Sequence, residues 1–379
     1  MYSLDQFAAM IADRVRMDAY AAAIQRAVRP GDVVVDLGCG TGIFALLACS
    51  AGASHVYAID LEGIVEFARH LAAANGFADR IDFLRGDSRQ IHLPGRAKVL
   101  VSDLRGALPL FSHAVTTLED ARIRFLAEDG TLVPLRDRLM AALVEMPVFH
   151  SELTNSWKSI PHLDLSSGLP LVLNSLYRHT LKPQQLLSAP RSWHVLEYAS
   201  GAEPRARGTL QLCATRPAIG HGIGVWFETE LVEGIGFSTE PRSDDTVYGH
   251  IFLPWLEPVS LREGDVCVVD LRADLIGNDY VWQWETTLPG CDGRAPIHFR
   301  QSTFYGSTFS QCCLKKRTSD FVPVLSESGL AERWLLQAMD GRRPLENIAA
   351  EAVVLFPHVF RRAEDAFNRA GELAEKYSR

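Results

Sequence analysis

Residues 33–42 read Val-Val-Val-Asp-Leu-Gly-Cys-Gly-Thr-Gly, and this stretch decides the fold. The run of β-branched residues predicts a buried strand. The three glycines at alternate positions predict a tight turn in which the backbone can approach a ligand closely. The following IFALLACSAG, residues 43–52, predicts a helix. Strand, glycine turn and helix in this order form the start of a βαβ unit.

Strands and helices continue to alternate on the C-terminal side of this turn. HVYAID (55–60), IDFLRG (81–86) and KVLVSD (98–103) predict further strands, and IVEFARHLAAANG (64–76) predicts a helix between the first two. Short apolar strands that alternate with helices are typical of a parallel sheet covered on both faces. Residues 8–28 predict one amphipathic helix in front of it. The sequence therefore predicts an α/β, doubly wound, Rossmann-like domain over residues 1–134.

The pattern changes after Pro134. Strand-like segments separated by turns predict an antiparallel β sandwich or barrel over residues 135–310. They include RLMAALVEMPVF (138–149), GTLQLCATR (208–216), TVYGHIFLPWLEPVSL (246–261) and YVWQWETTL (280–288). Within it, residues 151–188 are rich in Ser, Pro and His and predict an irregular arm. Residues 321–379 hold three helical segments, which predict a small C-terminal module.

Composition excludes several function classes. The chain of 379 residues has a formal net charge of -8, whereas nucleic-acid binders concentrate positive charge, so we do not expect a nucleic-acid partner. It contains no apolar run of about 18 residues, so no membrane partner is expected. The first residues lack the basic start of a signal peptide. Seven scattered cysteines without a CxxC pair predict a reduced, cytoplasmic protein without a metal site.

The glycine turn predicts an adenosyl ligand. Asp60 ends the second strand, where a carboxylate can accept both hydroxyls of a ribose. A dinucleotide-binding loop would need its third glycine at position 43, but Ile43 stands there. A tight turn without any ligand is the alternative interpretation.

Residues 8–290 resemble the protein arginine methyltransferase family. Met10, Asp13, Arg16 and Tyr20 have the spacing of that family's Met-x-x-Asp-x-x-Arg-x-x-x-Tyr helix, and VVVDLGCGTG resembles its cofactor loop. The resemblance implies S-adenosyl-L-methionine as cofactor, with Arg16 contacting the methionyl carboxylate. It also implies that the arm at 151–188 joins two chains into a homodimer.

The departures from the family lie at its catalytic positions. The family holds the substrate guanidinium between two glutamates, where this chain has Asp103 and Ser112. Its Thr-His-Trp loop corresponds to Thr246-Val247-Tyr248, without the histidine. Arg89 stands where a glutamate contacts adenine, a role that Asp87 or Ser88 would take over. A guanidinium is fully protonated at neutral pH. The loss of one carboxylate is therefore expected to weaken the binding of an arginine side chain.

These observations yield the candidate residues. The catalytic candidates are Asp103 and His113, and the substrate-binding candidates are Ser112, Tyr248 and His250. The cofactor-binding candidates are Met10, Arg16, Asp36, Gly38, Cys39, Gly40, Gly42, Asp60, Leu61, Asp87, Ser88 and Ser102. The structural alternatives are a turn cap for Asp103, a surface position for His113 and barrel core for the aromatic residues.

The C-terminal module resembles winged-helix domains that bind leader peptides of ribosomally made natural products. FVPVL (321–325) predicts a short strand, followed by a helix, Asp340-Gly341 and the LENIA helix. A purely stabilising helical cap is the alternative interpretation, and DNA binding through its arginines is a further one.

Our leading hypothesis from sequence is methyl transfer to a small-molecule or peptide acceptor, with nitrogen as the acceptor atom, in natural-product or peptide tailoring. The first alternative is N-methylation of protein or free arginine with a rearranged clamp. The second is a non-catalytic scaffold or regulator that only binds the cofactor.

Overall fold

The computed structural model describes residues 3–157, 160–242, 246–288, 290, 295–308, 310, 315–316 and 318–378. The chain divides into two compact units, Met1–Ser307 and Thr308–Arg379. The regions predicted as the cofactor domain and the barrel therefore lie in one unit. A boundary inside it near residue 134 remains a proposal.

The elements are numbered in chain order. The helices are α1 Leu4–Ala12, α2 Arg14–Ala27, α3 Ile43–Ser50, α4 Val65–Ala74, α5 Ala114–Phe125, α6 Pro147–Asn155, α7 Leu169–Leu173, α8 Glu327–Ala338, α9 Leu345–Leu355 and α10 Ala363–Tyr377. The strands are β1 Val33–Leu37, β2 His55–Asp60, β3 Ile81–Arg85, β4 Ala97–Ser102, β5 Leu126–Val133, β6 Arg136–Val144, β7 Tyr177–His179, β8 Arg191–Glu197, β9 Arg205–Cys213, β10 Ala218–Val232, β11 Ile235–Ser238, β12 His250–Leu261, β13 Val266–Ile276, β14 Asp279–Leu288 and β15 Ile297–Ser302.

The first sheet is parallel and has the order β3-β2-β1-β4-β5. β1 lies at its centre and pairs with β2 and β4, so that Val34 faces Val56 on one side and Val99 on the other. All three valines are buried. The chain order reverses direction at β1, and the carboxyl ends beside such a switch point form the crevice where α/β folds bind ligands. The fold therefore predicts a ligand site at the carboxyl end of β1.

The single helix predicted for residues 8–28 is two helices, and Asp13 is the reason. Its backbone is extended, and its side chain accepts a hydrogen bond from the backbone N–H of Arg16 at 3.1 Å. Aspartate is a favoured N-cap because it satisfies an N–H that the first helical turn leaves unpaired. α1 ends and α2 begins at this residue. This break lets α1 lie over the glycine turn.

Two antiparallel sheets follow and share one apolar core. The first has the order β7-β12-β10-β6-β8 with β11 beside β10, and the second has the order β15-β14-β13-β9. Alternate residues of β14 point into the core, including Trp282 and Trp284. The predicted antiparallel class is confirmed.

Two strand boundaries differ from the sequence prediction. RLMAALVEMPVF was expected to be one strand, but β6 ends at Val144 and α6 begins at Pro147. Proline favours the first helical position because it has no N–H to leave unpaired. Residues 246–249 precede β12 instead of belonging to it. This second difference places Tyr248 on a loop.

The arm, predicted to be irregular over residues 151–188, contains the helices α6 and α7, and we extend it to Pro147 so that it includes the whole of α6. Residues 158 and 159 within it lie outside the described residues. It carries exposed apolar side chains. These are Val148, Ile160, Leu163 and Leu171, with exposed fractions from 36% to 70%.

The C-terminal unit is built from α8, α9 and α10, which pack around Leu335, Ile348 and Leu373. The helices agree with the prediction, but the short strand expected at 321–325 is absent from the described residues 318–378. A winged helix needs such strands to build its wing. The described residues therefore do not support that assignment.

No helix within the described residues is long and apolar enough to cross a membrane.

Cys39, Cys49, Cys213 and Cys267 are free thiols. Cys291, Cys312 and Cys313 lie outside the described residues.

Candidate functional site

The glycine turn has the left-handed backbone that its sequence requires. Gly38, Gly40 and Gly42 have φ angles of 74°, 52° and 75°, a region that side chains disfavour. A Cβ atom on Gly40 would lie 2.9 Å from the ring of Phe7 on α1. Leu104 packs against Gly38 in the same way. The turn is thus enclosed by neighbours on both sides.

Asp60 is held at the end of β2 by the turn itself. Its carboxylate accepts the N–H of Gly40 at 2.8 Å and the N–H of Glu62 at 2.9 Å, one on each oxygen. Each carboxylate oxygen has two acceptor sites, so both keep capacity for a further donor. The arrangement suits a carboxylate that accepts a pair of ligand hydroxyls.

Asp36 lies beneath the turn and is fully buried. Its Oδ2 accepts the N–H of Ala45 at 3.0 Å, while its Oδ1 has no partner among the described residues. Burial raises the pKa of Asp36 to about 7, against the effect of the Ala45 hydrogen bond. An unpaired oxygen of this kind indicates a place where a ligand or water completes the bonding.

Arg16 points from α2 toward the same end of the sheet. Its Nε donates to Asp103 Oδ2 at 2.6 Å, and its Nη1 donates to the carbonyl of Met10 at 3.2 Å. The guanidinium also lies 5.0 Å from the centre of the Phe44 ring. Its Nη2 has no hydrogen-bond partner within the part of the chain that the structure describes. Arg16 therefore retains donors for an additional anion.

Asp103 is surrounded by partners from the protein itself. Arg16 donates to its Oδ2 and Arg105 to its Oδ1, and the hydroxyl of Tyr248 lies 2.7 and 3.0 Å from the two oxygens. Burial alone would raise the pKa of Asp103, but the two guanidinium groups and the Tyr248 hydrogen bond hold it below its usual value. Asp103 is thus an ionised, buried carboxylate whose charge is shared between two cations.

Arg105 uses all five of its N–H donors. Nε and Nη2 form a bidentate pair with Asp137 at 2.8 Å each, and Nη2 also donates to Thr229. Nη1 donates to the hydroxyl of Tyr20 at 2.6 Å and to Asp103 at 3.0 Å. Its side chain is only 4% exposed. The guanidinium therefore connects α2 and the loop after β4 with strands β6 and β10.

The sequence prediction did not include Arg105 or Asp137. A signal was present for Arg105, which lies in a largely apolar loop after β4, but Asp137 lies between Arg136 and Arg138 and its sequence is typical of an exposed charged segment. Charged residues are rarely buried unless they are paired. The pairing itself could not be predicted because the two residues are 32 positions apart in the chain.

Comparisons with known proteins give the chain its family. Protein arginine N-methyltransferase 1 of Schizosaccharomyces pombe is 34% identical over 271 residues, which cover 68% of this chain and 76% of that protein. The chain belongs to the protein arginine N-methyltransferase family. The protein arginine N-methyltransferase 1 of Saccharomyces cerevisiae is 28% identical over 268 residues, with the same coverage. Residues 20–133 also match the family model of ribosomal protein L11 methyltransferase.

Solved structures of arginine methyltransferases have the same fold. A Trypanosoma brucei PRMT1 enzyme-prozyme complex with AdoHcy matches with a TM-score of 0.73 at 21% identity, covering 80% of this chain and 98% of that one. Arabidopsis thaliana protein arginine methyltransferase 10 matches with a TM-score of 0.70, also at 21% identity, over 79% and 97% of the two chains. These matches confirm the expected doubly wound domain and antiparallel domain. Because the chain belongs to the arginine methyltransferase family, the protein is an S-adenosylmethionine-dependent methyltransferase of the arginine-methyltransferase type.

The residues of this arginine methyltransferase-like site fit its cofactor. The enclosed glycine turn, the strand-end carboxylate of Asp60 and the unpaired oxygen of Asp36 surround one region at the end of β1. Arg16 has an unused Nη2 on the same side. A carboxylate, an ammonium group and a ribose are among the polar groups of S-adenosylmethionine, and this donor and acceptor set matches these three.

The remaining cofactor candidates lie around this region with different partners. Ser102 is buried and its hydroxyl donates to the carbonyl of Leu37 at 3.0 Å. Asp87 forms an exposed ion pair with Arg89 at 2.7 Å, while Ser88 is buried. Cys39 is also buried, Met10 is half-buried and Leu61 is 68% exposed. Their contacts with the cofactor remain predictions.

The substrate and catalytic candidates are not all at one place. Ser112 is half-buried with a φ of 44°, unusual for a residue other than glycine. The Nε2 of His113 lies 3.2 Å from the side-chain oxygen of Asn278. His250 is enclosed in the barrel, with its Nδ1 accepting the N–H of Leu181 and its Nε2 2.7 Å from the carbonyl of Thr239. These backbone contacts argue against substrate binding by His250.

Tyr248, a further substrate-binding candidate, lies beside Asp103. Its ring is 5% exposed and its hydroxyl is committed to Asp103. The geometry therefore favours Tyr248 as a support for Asp103 over a direct contact with substrate. Asp103, in turn, is no turn cap but the centre of an ion-pair cluster.

Proposed function

We propose that this protein transfers the methyl group of S-adenosylmethionine to a side-chain nitrogen of arginine in a protein or peptide. The observation that carries the proposal is the 34% identity with an arginine methyltransferase over 68% of the chain. A segment of that length extends beyond the residues that would hold the cofactor. The arginine alternative therefore replaces the tailoring of natural products as our main hypothesis.

The chemistry asks three things of the chain. The acceptor cation must be held, one of its nitrogens must be aligned with the methyl group, and a proton must be removed. S-adenosylmethionine supplies an electrophilic methyl group on a sulfonium. As the N–CH3 bond forms, the S–CH3 bond breaks and S-adenosylhomocysteine leaves. Asp103 is an ionised carboxylate near the glycine turn and is our candidate for attracting the acceptor and receiving its proton.

A second candidate function keeps the same chemistry with a different acceptor. Ser112 provides no second carboxylate, and Arg105 already places one guanidinium on Asp103. Both features reduce the negative charge available to an arginine cation. They favour a nitrogen that is uncharged at neutral pH, in a small molecule or a peptide, as in the tailoring hypothesis.

Mass spectrometry separates the two functions. The enzyme and labelled S-adenosylmethionine are incubated with an arginine-rich peptide, with free arginine and with a metabolite extract. Methylarginine in the peptide supports the proposal. Label that appears only in other extract components supports the second candidate. The Gly40→Val variant, which disrupts the glycine turn, provides the control for background labelling.

We also propose that the arm joins two copies of the chain into a homodimer. The T. brucei PRMT1 structure is a heterotetrameric complex, and the arm exposes several apolar side chains. The strand expected of a leader-peptide-binding wing is absent from the described residues, so peptide binding by the C-terminal unit is not part of this proposal.

A further inference from the structure

The four charges around the site form a closed set in which one carboxylate serves two arginines. Asp103 pairs with Arg16 and Arg105, and the one cation that pairs with Asp137 in the described structure is Arg105. The side chains are between 0% and 10% exposed. Two positive and two negative charges balance. A substitution that removes one of the four leaves the cluster with a net buried charge, which is destabilising.

Arg16 and Arg105 differ in the number of N–H donors that remain unused. Arg105 has no unused donor and is fixed by contacts from four residues. The Asp137 that holds it also accepts the hydroxyl of Tyr198 at 2.7 Å. Arg16 donates to Asp103 through Nε, and its Nη2 has no partner among the described residues. If either guanidinium leaves Asp103 for another anion, it is Arg16.

Asp103 keeps partners when Arg16 leaves. Arg105 remains 3.0 Å from its Oδ1, and Tyr248 remains within hydrogen-bond distance of both oxygens. The carboxylate would therefore not become an unpaired buried charge. Without Arg105, Arg16 would be the only cation on Asp103. The departure of Arg16 would then leave the buried carboxylate without a cationic partner.

We infer that Arg105 is a positioning residue that shares the charge of Asp103 and thereby releases Arg16 to the carboxylate of the cofactor. The inference rests on the proposed cofactor contact of Arg16 and not on the identity of the acceptor. In this arrangement Asp103 and the cofactor compete for Arg16. The Arg105–Asp137 pair shifts that competition toward the cofactor.

The test is a mutational cycle read out by the binding of S-adenosylhomocysteine in calorimetry. Arg105→Met combined with Asp137→Ala removes one charge of each sign and leaves Arg16 as the only cation on Asp103. We expect this double variant to bind about tenfold more weakly than the wild type at pH 7.5. Adding Asp103→Asn removes the competing carboxylate, so the triple variant should recover most of the lost affinity.

A purely structural role for Arg105 predicts the opposite order. In that case the third substitution does not restore affinity for S-adenosylhomocysteine, and the triple variant binds no better than the double variant. That result, or unchanged affinity in the double variant, would overturn the inference. The matched control is Arg138→Met with Glu228→Ala, which removes an exposed ion pair between the same strands, β6 and β10, and should leave binding unchanged.

A measurement on the wild type covers the case in which the double variant does not fold. Nitrogen NMR of the arginine Nε–H groups, assigned with Arg16→Lys, follows both side chains during titration with S-adenosylhomocysteine. The Arg16 resonance should shift while the Arg105 resonance stays in place. Equal shifts of both, or a shift of Arg105 alone, would contradict the inference. Because no acceptor is present, a failure to methylate arginine would leave this result intact.

Discussion

At the scale of single residues, the site is defined by the polar atoms that still have unused hydrogen-bonding capacity. Asp60 has backbone partners on both oxygens. Within the described parts of the chain, Asp36 has one oxygen without a partner and Arg16 has an unused Nη2. Arg105, by contrast, has every donor engaged. Groups with unused bonding capacity are the ones that can receive a ligand. This criterion separates residues that are poised to bind from those that hold the others in place.

The first residue-scale prediction concerns Gly40. Gly40→Val puts a branched side chain at a φ of 52° and within 3 Å of Phe7, so we expect S-adenosylhomocysteine binding to be abolished in calorimetry. Gly76→Val is the matched control, because Gly76 has a φ of 73° but no atom within 4 Å of the added carbon. It should bind normally despite its lower stability. Normal binding by Gly40→Val would show that the cofactor lies elsewhere.

The second residue-scale prediction concerns the pH dependence of stability. The pKa of Asp36 is raised to about 7 by burial, so between pH 4 and 7 the folded state holds this proton more tightly than the unfolded state. The stability that this group contributes is therefore present at low pH and falls as the pH rises through that range. The loss is about 1.4 kcal/mol for each tenfold difference in proton affinity between the two states. Asp36→Asn removes the effect.

The measurement compares thermal unfolding of cofactor-free wild type and Asp36→Asn at pH 5 and pH 8. The variant should gain stability relative to wild type at pH 8 and gain much less at pH 5. The Asp79→Asn variant, with the same change at an exposed position, serves as the matched control. A difference between wild type and Asp36→Asn that is the same at both pH values would contradict the assignment.

At the scale of elements, short capping features decide where the functional side chains point. Asp13 ends α1 and starts α2, which brings Phe7 over the glycine turn and directs Arg16 toward Asp103. The second oxygen of Asp13 accepts the N–H of Val247 at 2.8 Å. One carboxylate thereby links the first helices to the loop that carries Tyr248.

At the scale of the whole molecule, the exposed arm predicts association. We expect light scattering to give a mass near twice the 41.9 kDa of the chain. Val148→Asp with Leu163→Asp places charges on exposed apolar positions of the arm and should produce a monomer. Ile219→Asp alters an equally apolar, 50% exposed position on β10 outside the arm and should remain dimeric. A wild-type mass of one chain would rule out the proposal.

Local sequence was sufficient for the class of each domain and for the cofactor loop. β1, the glycine turn and Asp60 were predictable because strand propensity, glycine's tolerance of positive φ and strand-end geometry act over a few residues. The helix break at Asp13 was also a local feature, but the continuous apolar face of residues 8–28 concealed it. The C-terminal strand was predicted from a short apolar run and is absent from the described residues.

The amino-acid sequence alone was enough to predict a doubly wound α/β domain, an antiparallel β domain and the glycine turn that we propose as the cofactor loop. Only the tertiary structure decided the charge state of the site. Arg16, Arg105, Asp103 and Asp137 come from separate elements, and the energy of a buried charge depends on which partners the fold brings within about 3 Å. Spacing along the chain contains no information on that distance, so the cluster appears only when α2, the loop after β4 and β6 are packed together.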